Sequence, residues 1–402
     1  MKNHTKPRCP YYGTCGGCQL QHLSYDEQLN LKRETVRSAL KKAGLENISV
    51  EPTLGMDHPW FYRNKIQFPI RKQNNHLQMG YFKPRTHEVV NIKECYIQDP
   101  FLTEIAQIAR ETFEKRGLSA YDEKTGNGLL RHFIARSGFQ THEILLGIVI
   151  NGKGIPSVYT VADEIKKREK LMRRQAARHL EYAAPYPDRK MRIVGIVQNI
   201  NTARSNVILG EKNTTLFGTP FLREKLGGFH FNIRLTSFFQ VNPVQTVKLY
   251  DLVKKFADLS GNEIVVDAYA GIGTIAIWLA DKAKSIIAIE ERNDAIKDAN
   301  SNLDLNKMTK ILVKHSIVEK AFPKDAEVVI LDPPRSGCSN KVLQILCRIA
   351  PPRIVYVSCN PETLARDLGI LSQSGYQIEI VQPVDMFPQT EHVEVVAKLS
   401  RE

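Results

Sequence analysis

The chain has 402 residues, enough for two or three domains with separate cores, and its 56 Lys and Arg against 43 Asp and Glu leave a net charge of +13. That balance points to a polyanionic partner, nucleic acid first, and the even globular composition excludes a low-complexity or repeat protein. The basic amino terminus MKNHTKPRCPYYG has no apolar core, and the longest apolar run, 264–280, is broken by Asp267, Gly271 and Gly273, so no secretory leader or membrane span is expected and a cytoplasmic location follows.

Seven cysteines in such a chain argue against a disulfide framework and for metal, cluster or catalytic use. Cys9, Cys15 and Cys18 stand in CPYYGTCGGC, where glycines at 13, 16 and 17 allow a tight loop. Three thiolates converging there would repel one another unless a cation or cluster neutralised them. Cys95, in NIKECYIQD, is the candidate fourth ligand, since Cys338, Cys347 and Cys359 fall in a different expected domain. Zinc and a four-iron cluster both accept four thiolates. Zinc's usual pattern is a pair of close CxxC knuckles, so a compact triplet with one distant cysteine fits a 4Fe-4S cluster better.

From Ser24 to Lys42 the spacing of Leu29, Leu31, Val36 and Leu40 predicts an amphipathic helix ending near Gly44. The texture then changes. Segments 65–70, 78–82, 88–92, 132–136, 143–150 and 192–199 alternate or carry β-formers between Gly, Asn and Pro, predicting a mostly β or α+β domain. Its Arg63, Lys65, Arg71, Lys72, Lys83, Arg85, Arg131 and Arg136 are interleaved with Trp60, Phe61, Tyr62, Tyr81, Phe82 and Phe133. Such a mixture suits looped or single-stranded RNA, although half-buried strands mix the same residue types. A basic helix is expected over 161–182, closed by Pro185 and Pro187, and a solvated face is its default reading.

Beyond Gly227, SFFQVN (237–242) leads through Pro243 into a helix reaching Asp258. EIVVDAYAGIGTIAIWLA then runs from a strand through Asp267 and a glycine turn into a helix, a turn that lets backbone and helix amino terminus approach a ligand. A second strand ends at Glu290, a carboxylate able to accept hydrogen bonds from both hydroxyls of a ribose. Ala276 replaces the third glycine of a dinucleotide fingerprint, favouring a nucleoside-type cofactor without pyrophosphate, S-adenosylmethionine. A third strand, VVIL, ends in Asp332, and Pro333 and Pro334 stiffen the loop over the cofactor pocket. A fourth, 354–357, ends at Cys359 before Pro361. A thiol at a strand's carboxyl end in an open α/β sheet is placed to react, and a buried structural cysteine is the competing reading. Near the carboxy terminus, His392 and Glu394 share a face if a strand holds there.

Together these motifs resemble the RNA 5-methyluridine methyltransferase family. SFFQVN, DAYAGIGT, the strand end at Glu290, DPPRSG, SCNPETLARDL and EHVE follow its order over 237–396, while YRNK (62–65), LRH (130–132) and NINTARSNVILG (199–210) are similar to its central domain. The cysteine triplet with Cys95 is similar to the cluster of its 23S ribosomal RNA members. The resemblance implies a class I (Rossmann-like) α/β methyltransferase domain at 231–402. A β-rich or α+β RNA-binding domain at 51–230, which contributes Cys95, and a cysteine-cluster arm with its helix at 1–50 would precede it. It further implies that Gln240, Tyr269, Glu290 and Asp332 bind S-adenosylmethionine, that Cys359 is the nucleophile and that Glu394 is the base. The implied activity is methylation of carbon 5 of a uridine in 23S ribosomal RNA through a cysteine adduct at carbon 6, by a cytoplasmic monomer. Because the base must be unstacked, a loop or hairpin is the expected target. A transfer-RNA uracil-5-methyltransferase and a non-catalytic RNA-binding or ribosome assembly factor are the competing readings.

Overall fold

The computed structural model describes residues 5–178 and 189–401. They form two compact units, the first taking in the residues before Leu23 with 58–226 and 232–236, the second taking in 23–57, 227–231 and 237–401. Helix α1, Tyr25–Lys42, starts where expected. Ser24 and Glu27 form a capping box, the Glu27 carboxylate accepting the Ser24 N–H at 3.0 Å. The helix does not travel with the cysteine arm, as the 1–50 segment had it. Its buried stripe of Val36, Ala39 and Leu40 joins the core of Leu364, Leu368, Leu371 and Val381 in the second unit, and apolar burial of this kind decides where an amphipathic helix settles. Lys32, on the same helix, pairs at 2.5 Å with Asp385, both fully buried.

In the first unit, strands β1 (Lys65–Gln73), β2 (His76–Phe82), β3 (Val89–Asn91), β4 (Leu130–Ser137), β5 (Glu143–Ile150), β6 (Arg192–Ile200) and β7 (Lys212–Gly218) form one sheet in the order β3-β2-β1-β4-β5-β6-β7. Its neighbours are antiparallel except β5 and β6. That one parallel pair needs a crossover, and helices α3 (Val158–Lys167) and α4 (Glu169–Ala176) lie in it. The basic helix expected over 161–182 is thus two helices broken at Arg168, and its end, with Pro185 and Pro187, lies outside the described residues. Helix α2 (Pro100–Lys115), capped by Asp99, was not anticipated. It buries Phe101, Ile105, Ile108 and Phe113 against Phe68, Met79 and Phe133 of the sheet.

Strands β8 (Phe221–Leu226) and β9 (Phe229–Arg234) pair with each other. Then, in chain order, come α5 (Pro243–Ala257), β10 (Ile264–Asp267), α6 (Thr274–Leu279), β11 (Ser285–Glu290), α7 (Asn293–Leu305), β12 (Ile311–His315), α8 (Val318–Ala321), β13 (Val328–Leu331), α9 (Asn340–Ile349), β14 (Arg353–Ser358), α10 (Pro361–Gln373), β15 (Gln377–Val384) and β16 (Glu394–Ser400). The sheet order is β12-β11-β10-β13-β14-β16-β15. From β12 to β14 neighbouring strands are parallel, whereas β16 lies antiparallel to both β14 and β15. Strand β12, an edge strand with mostly exposed residues, had no counterpart in the sequence reading. The order reverses direction between β10 and β13, and in an open α/β sheet ligands bind outside the carboxyl ends at such a switch point. Among the described residues no helix is long and apolar enough to cross a membrane.

Candidate active site

Three neighbouring strands deliver the chemistry to one place. β13 and β14 run parallel with Leu331 opposite Tyr356, so Asp332 and Cys359 follow from the same end of the sheet. β16 runs the other way beside β14 with Val395 opposite Ser358, so its first residue, Glu394, lies alongside Cys359. The strand starts only at Glu394. His392 is exposed in the preceding loop rather than on the strand face the alternation suggested, and its Nδ1 sits 3.1 Å from Arg335 Nη2.

Burial dominates the electrostatics. It raises the Cys359 thiol, with the Glu394 and Asp332 carboxylates adding to the effect and the Arg335 guanidinium opposing it through charge and a hydrogen bond. Glu394, 5% exposed, is held well above the ordinary carboxylate range by burial and then by Asp332, with Arg335 again opposing. Asp332 is pushed up to about 7 by burial. Cysteine, acid and arginine are therefore within electrostatic reach of one another, and Arg335 is the charge that favours both the thiolate and the carboxylate.

Next to this group a cavity of ≈ 480 Å³ opens along the carboxyl ends of β10, β11 and β12. Tyr269 and Glu290 line it, as do Ser316, Ile317, Glu319 and Cys338. Both Glu290 oxygens already accept backbone N–H groups, from Gly271 at 3.0 Å and Arg292 at 2.8 Å. The carboxylate thus pins the glycine turn, and each oxygen keeps a further lone pair for a ligand hydroxyl. Tyr269 hydrogen-bonds the Cys338 thiol. Gln240, 5% exposed, lies in the turn before α5, and neither it nor Asp332 is part of this cavity's lining. Sequence reasoning missed Ser316 and Ile317 because it missed β12; the carboxyl-end rule would have found them once that strand was recognised. It also assigned no role to Arg335, although the DPPR loop was in view.

In the first unit Cys9, Cys15, Cys18 and Cys95 line one small cavity together. All are free thiols. The Tyr11 hydroxyl accepts the Lys93 N–H at 3.3 Å and Gly16 N–H bonds Phe82 O at 3.1 Å, which ties the arm beside Cys95. Burial raises each thiol, Cys18 to about 12; neighbouring cysteines raise Cys15, Cys18 and Cys95 further, and Glu94 does so for Cys9. Among the described residues, no group of three or more His, Cys, Asp or Glu is arranged to hold a metal ion.

Residues 315–402 match the family model described as tRNA (Uracil-5-)-methyltransferase, and 250–351 one described as methyltransferase small domain. An uncharacterized RNA methyltransferase of Bacillus cereus is 42% identical, the match covering 99% of this chain and 85% of that protein. One of Clostridium tetani is 41% identical over 98% of this chain and 82% of its own length. The solved tRNA (uracil-54, C5)-methyltransferase of Pyrococcus abyssi, in complex with S-adenosyl-L-homocysteine, aligns with a TM-score of 0.75 at 29% identity. That match covers 96% of this chain and 86% of the other.

The glycine turn yields a pH test. Asp267, 1% exposed, accepts the Ala276 N–H at 3.1 Å, and burial, then the Asp332 carboxylate, raises it to about 7. The folded protein thus holds this proton more tightly than the unfolded chain, whose Asp titrates near about 4. Its favourable contribution is complete below about pH 4 and is lost progressively as pH rises to about 7. Asp267→Asn keeps an acceptor for Ala276 but cannot titrate. The melting temperature of the ligand-free variant, measured relative to the parent, should rise from pH 5 to pH 8.5; a constant difference would contradict the shift.

Proposed function

This chain belongs to the RNA uracil-5-methyltransferase family, and on that premise we propose that it methylates carbon 5 of an unpaired uridine through a covalent bond between Cys359 and carbon 6. It is an S-adenosylmethionine-dependent enzyme. The observation that carries the covalent reading is the convergence of Cys359, Glu394 and Arg335 at one end of β14 and β16.

Carbon 5 of uracil is too weak a nucleophile to displace a sulfonium's methyl group at a useful rate. Addition of the Cys359 thiolate to carbon 6 shifts the ring's π electrons into an enolate, and carbon 5 becomes nucleophilic. Once carbon 5 carries the methyl group, Glu394 takes the remaining proton there, the electrons of that C–H bond re-form the double bond, and the C6–S bond breaks to release the thiolate. Arg335 lowers the free energy of thiolate and carboxylate alike. Gln240, Tyr269, Glu290 and Asp332 would hold S-adenosylmethionine, which when bound supplies the methyl group and a positive sulfonium.

Cys9, Cys15, Cys18 and Cys95 would hold a 4Fe-4S cluster. The fit is supported by four free thiols around one cavity. Such a cluster would offset the repulsion of the buried thiolates and staple the arm to the Cys95 segment.

For the substrate we favour a loop or hairpin of 23S ribosomal RNA, bound by a cytoplasmic monomer, because the cysteine set is similar to that of the family's ribosomal members. Transfer RNA is the second reading, favoured by the likeness to the Pyrococcus abyssi enzyme.

With labelled methyl donor and both RNAs as transcripts, Cys359→Ala should abolish transfer while S-adenosylmethionine binding stays within a few-fold. Glu394→Gln should accumulate a protein–RNA band on a denaturing gel. Full turnover of Cys359→Ala would remove the covalent mechanism, and labelling of the transfer RNA alone would replace the ribosomal target. For the cluster, iron and acid-labile sulfide assayed after anaerobic purification should be present in the parent and lost in Cys18→Ser; a parent free of both would remove that assignment.

A further inference from the structure

Helix α10 begins two residues after Cys359, and its cap Asn360 with Thr363, Arg366 and Asp367 falls on one face at helical spacing. All four side chains reach the backbone of the loop that follows Asp332. Asn360 Nδ2 and Thr363 Oγ1 each donate to the Arg335 carbonyl at 3.2 Å. Arg366 Nη2 donates to the Ser336 carbonyl at 3.0 Å and the Cys338 carbonyl at 3.2 Å. Asp367 Oδ2 accepts the Cys338 N–H at 2.8 Å. Gly337 sits between them at φ +76°, and a Cβ there would lie 2.6 Å from Arg366 Nη2 and 2.7 Å from Asp367 Oδ2, so only a glycine lets the loop come this close.

Asp367 is the centre of this clamp. It is fully buried and also accepts from the Tyr356 hydroxyl at 2.6 Å and Arg366 Nε at 2.8 Å. Charge-assisted bonds to a buried carboxylate are strong, and leaving that carboxylate short of donors is unfavourable, so the donors are held where they are. What they hold is the loop that carries Arg335. We propose that Asp367 is a positioning residue: by fixing the loop through Cys338 and Arg366 it keeps the Arg335 guanidinium beside Cys359 and so sets the reactivity of that thiol. Tyr269 extends the link to the cofactor cavity through its bond to Cys338. The inference rests on Cys359 being the nucleophile, but its test does not depend on turnover.

The charged groups facing the thiol are Arg335, Glu394 and Asp332, with His392 bonded to Arg335. Alkylation of the ligand-free protein by iodoacetamide, in which the thiolate displaces iodide to form a thioether, can be followed against pH by mass mapping of the Cys359 peptide. Asp367→Asn should raise the midpoint, slowing alkylation at pH 7.5 by roughly three- to tenfold, a pKa unit being tenfold. Thr363→Val, which removes one bond to the Arg335 carbonyl, should shift it the same way by less, and carries the test if Asp367→Asn fails to fold. In an Arg335→Ala background Asp367→Asn should add nothing. An unchanged midpoint, or the same shift with Arg335 absent, would overturn the proposal. Turnover surviving in Cys359→Ala would instead sink the nucleophile assignment and leave the alkylation result standing.

Discussion

The last strand, β16, runs against the direction of β14, and that reversal makes the site. In a sheet of parallel strands every carboxyl end faces the ligand crevice and every amino end faces away. A strand entering at the crevice side brings its first residue there instead. With Val395 opposite Ser358, the register fixes Glu394 beside Cys359 although 34 intervening residues separate them in the chain. A register slip of one residue would turn Glu394 to the other face and leave the cysteine without it.

Placing these groups among buried strands has a consistent electrostatic result. Thiol and carboxyls are all pushed toward their neutral forms, since a low-dielectric surrounding disfavours charge. Chemistry then depends on positive charge brought to the right atoms. Arg335 is such a charge, and the loop it stands on is tied at five backbone contacts to the helix that follows Cys359. A bound sulfonium would be another. The Cys359 thiol is thus held toward its neutral form by burial and drawn toward the thiolate by Arg335.

Much of this was legible in the sequence, for physical reasons that differ by element. Strands β10, β11, β13 and β14 are short, mostly apolar runs, a pattern that a buried parallel strand imposes directly, and they lead to Asp267, Glu290, Asp332 and Cys359 at or just past their ends. The apolar spacing of α1 was readable from Leu29 to Leu40, but the helix's place was not, because only tertiary burial decides that Val36 and Leu40 pack with α10 rather than with the cysteines. Strand β12 was hidden by its exposed edge position, where alternation is weak. The cap Asn360 and the α10 stripe of Thr363, Arg366 and Asp367 were visible as letters of a motif, yet their meaning lies in contacts to a loop 25 to 30 residues earlier in the chain. Likewise, His392 was placed on a strand that starts two residues later.

The claim on which the rest depends is a bond from the Cys359 sulfur to carbon 6 of uracil. Fluorine at carbon 5 cannot be removed as a proton, so RNA carrying 5-fluorouridine at the target should stall after methyl transfer with the protein still attached. Mass mapping of the attached peptide should find the pyrimidine on Cys359, in a complex that forms only with S-adenosylmethionine present and survives denaturation. Absence of any stable complex while unmodified RNA is methylated normally, or attachment at another residue, would contradict it.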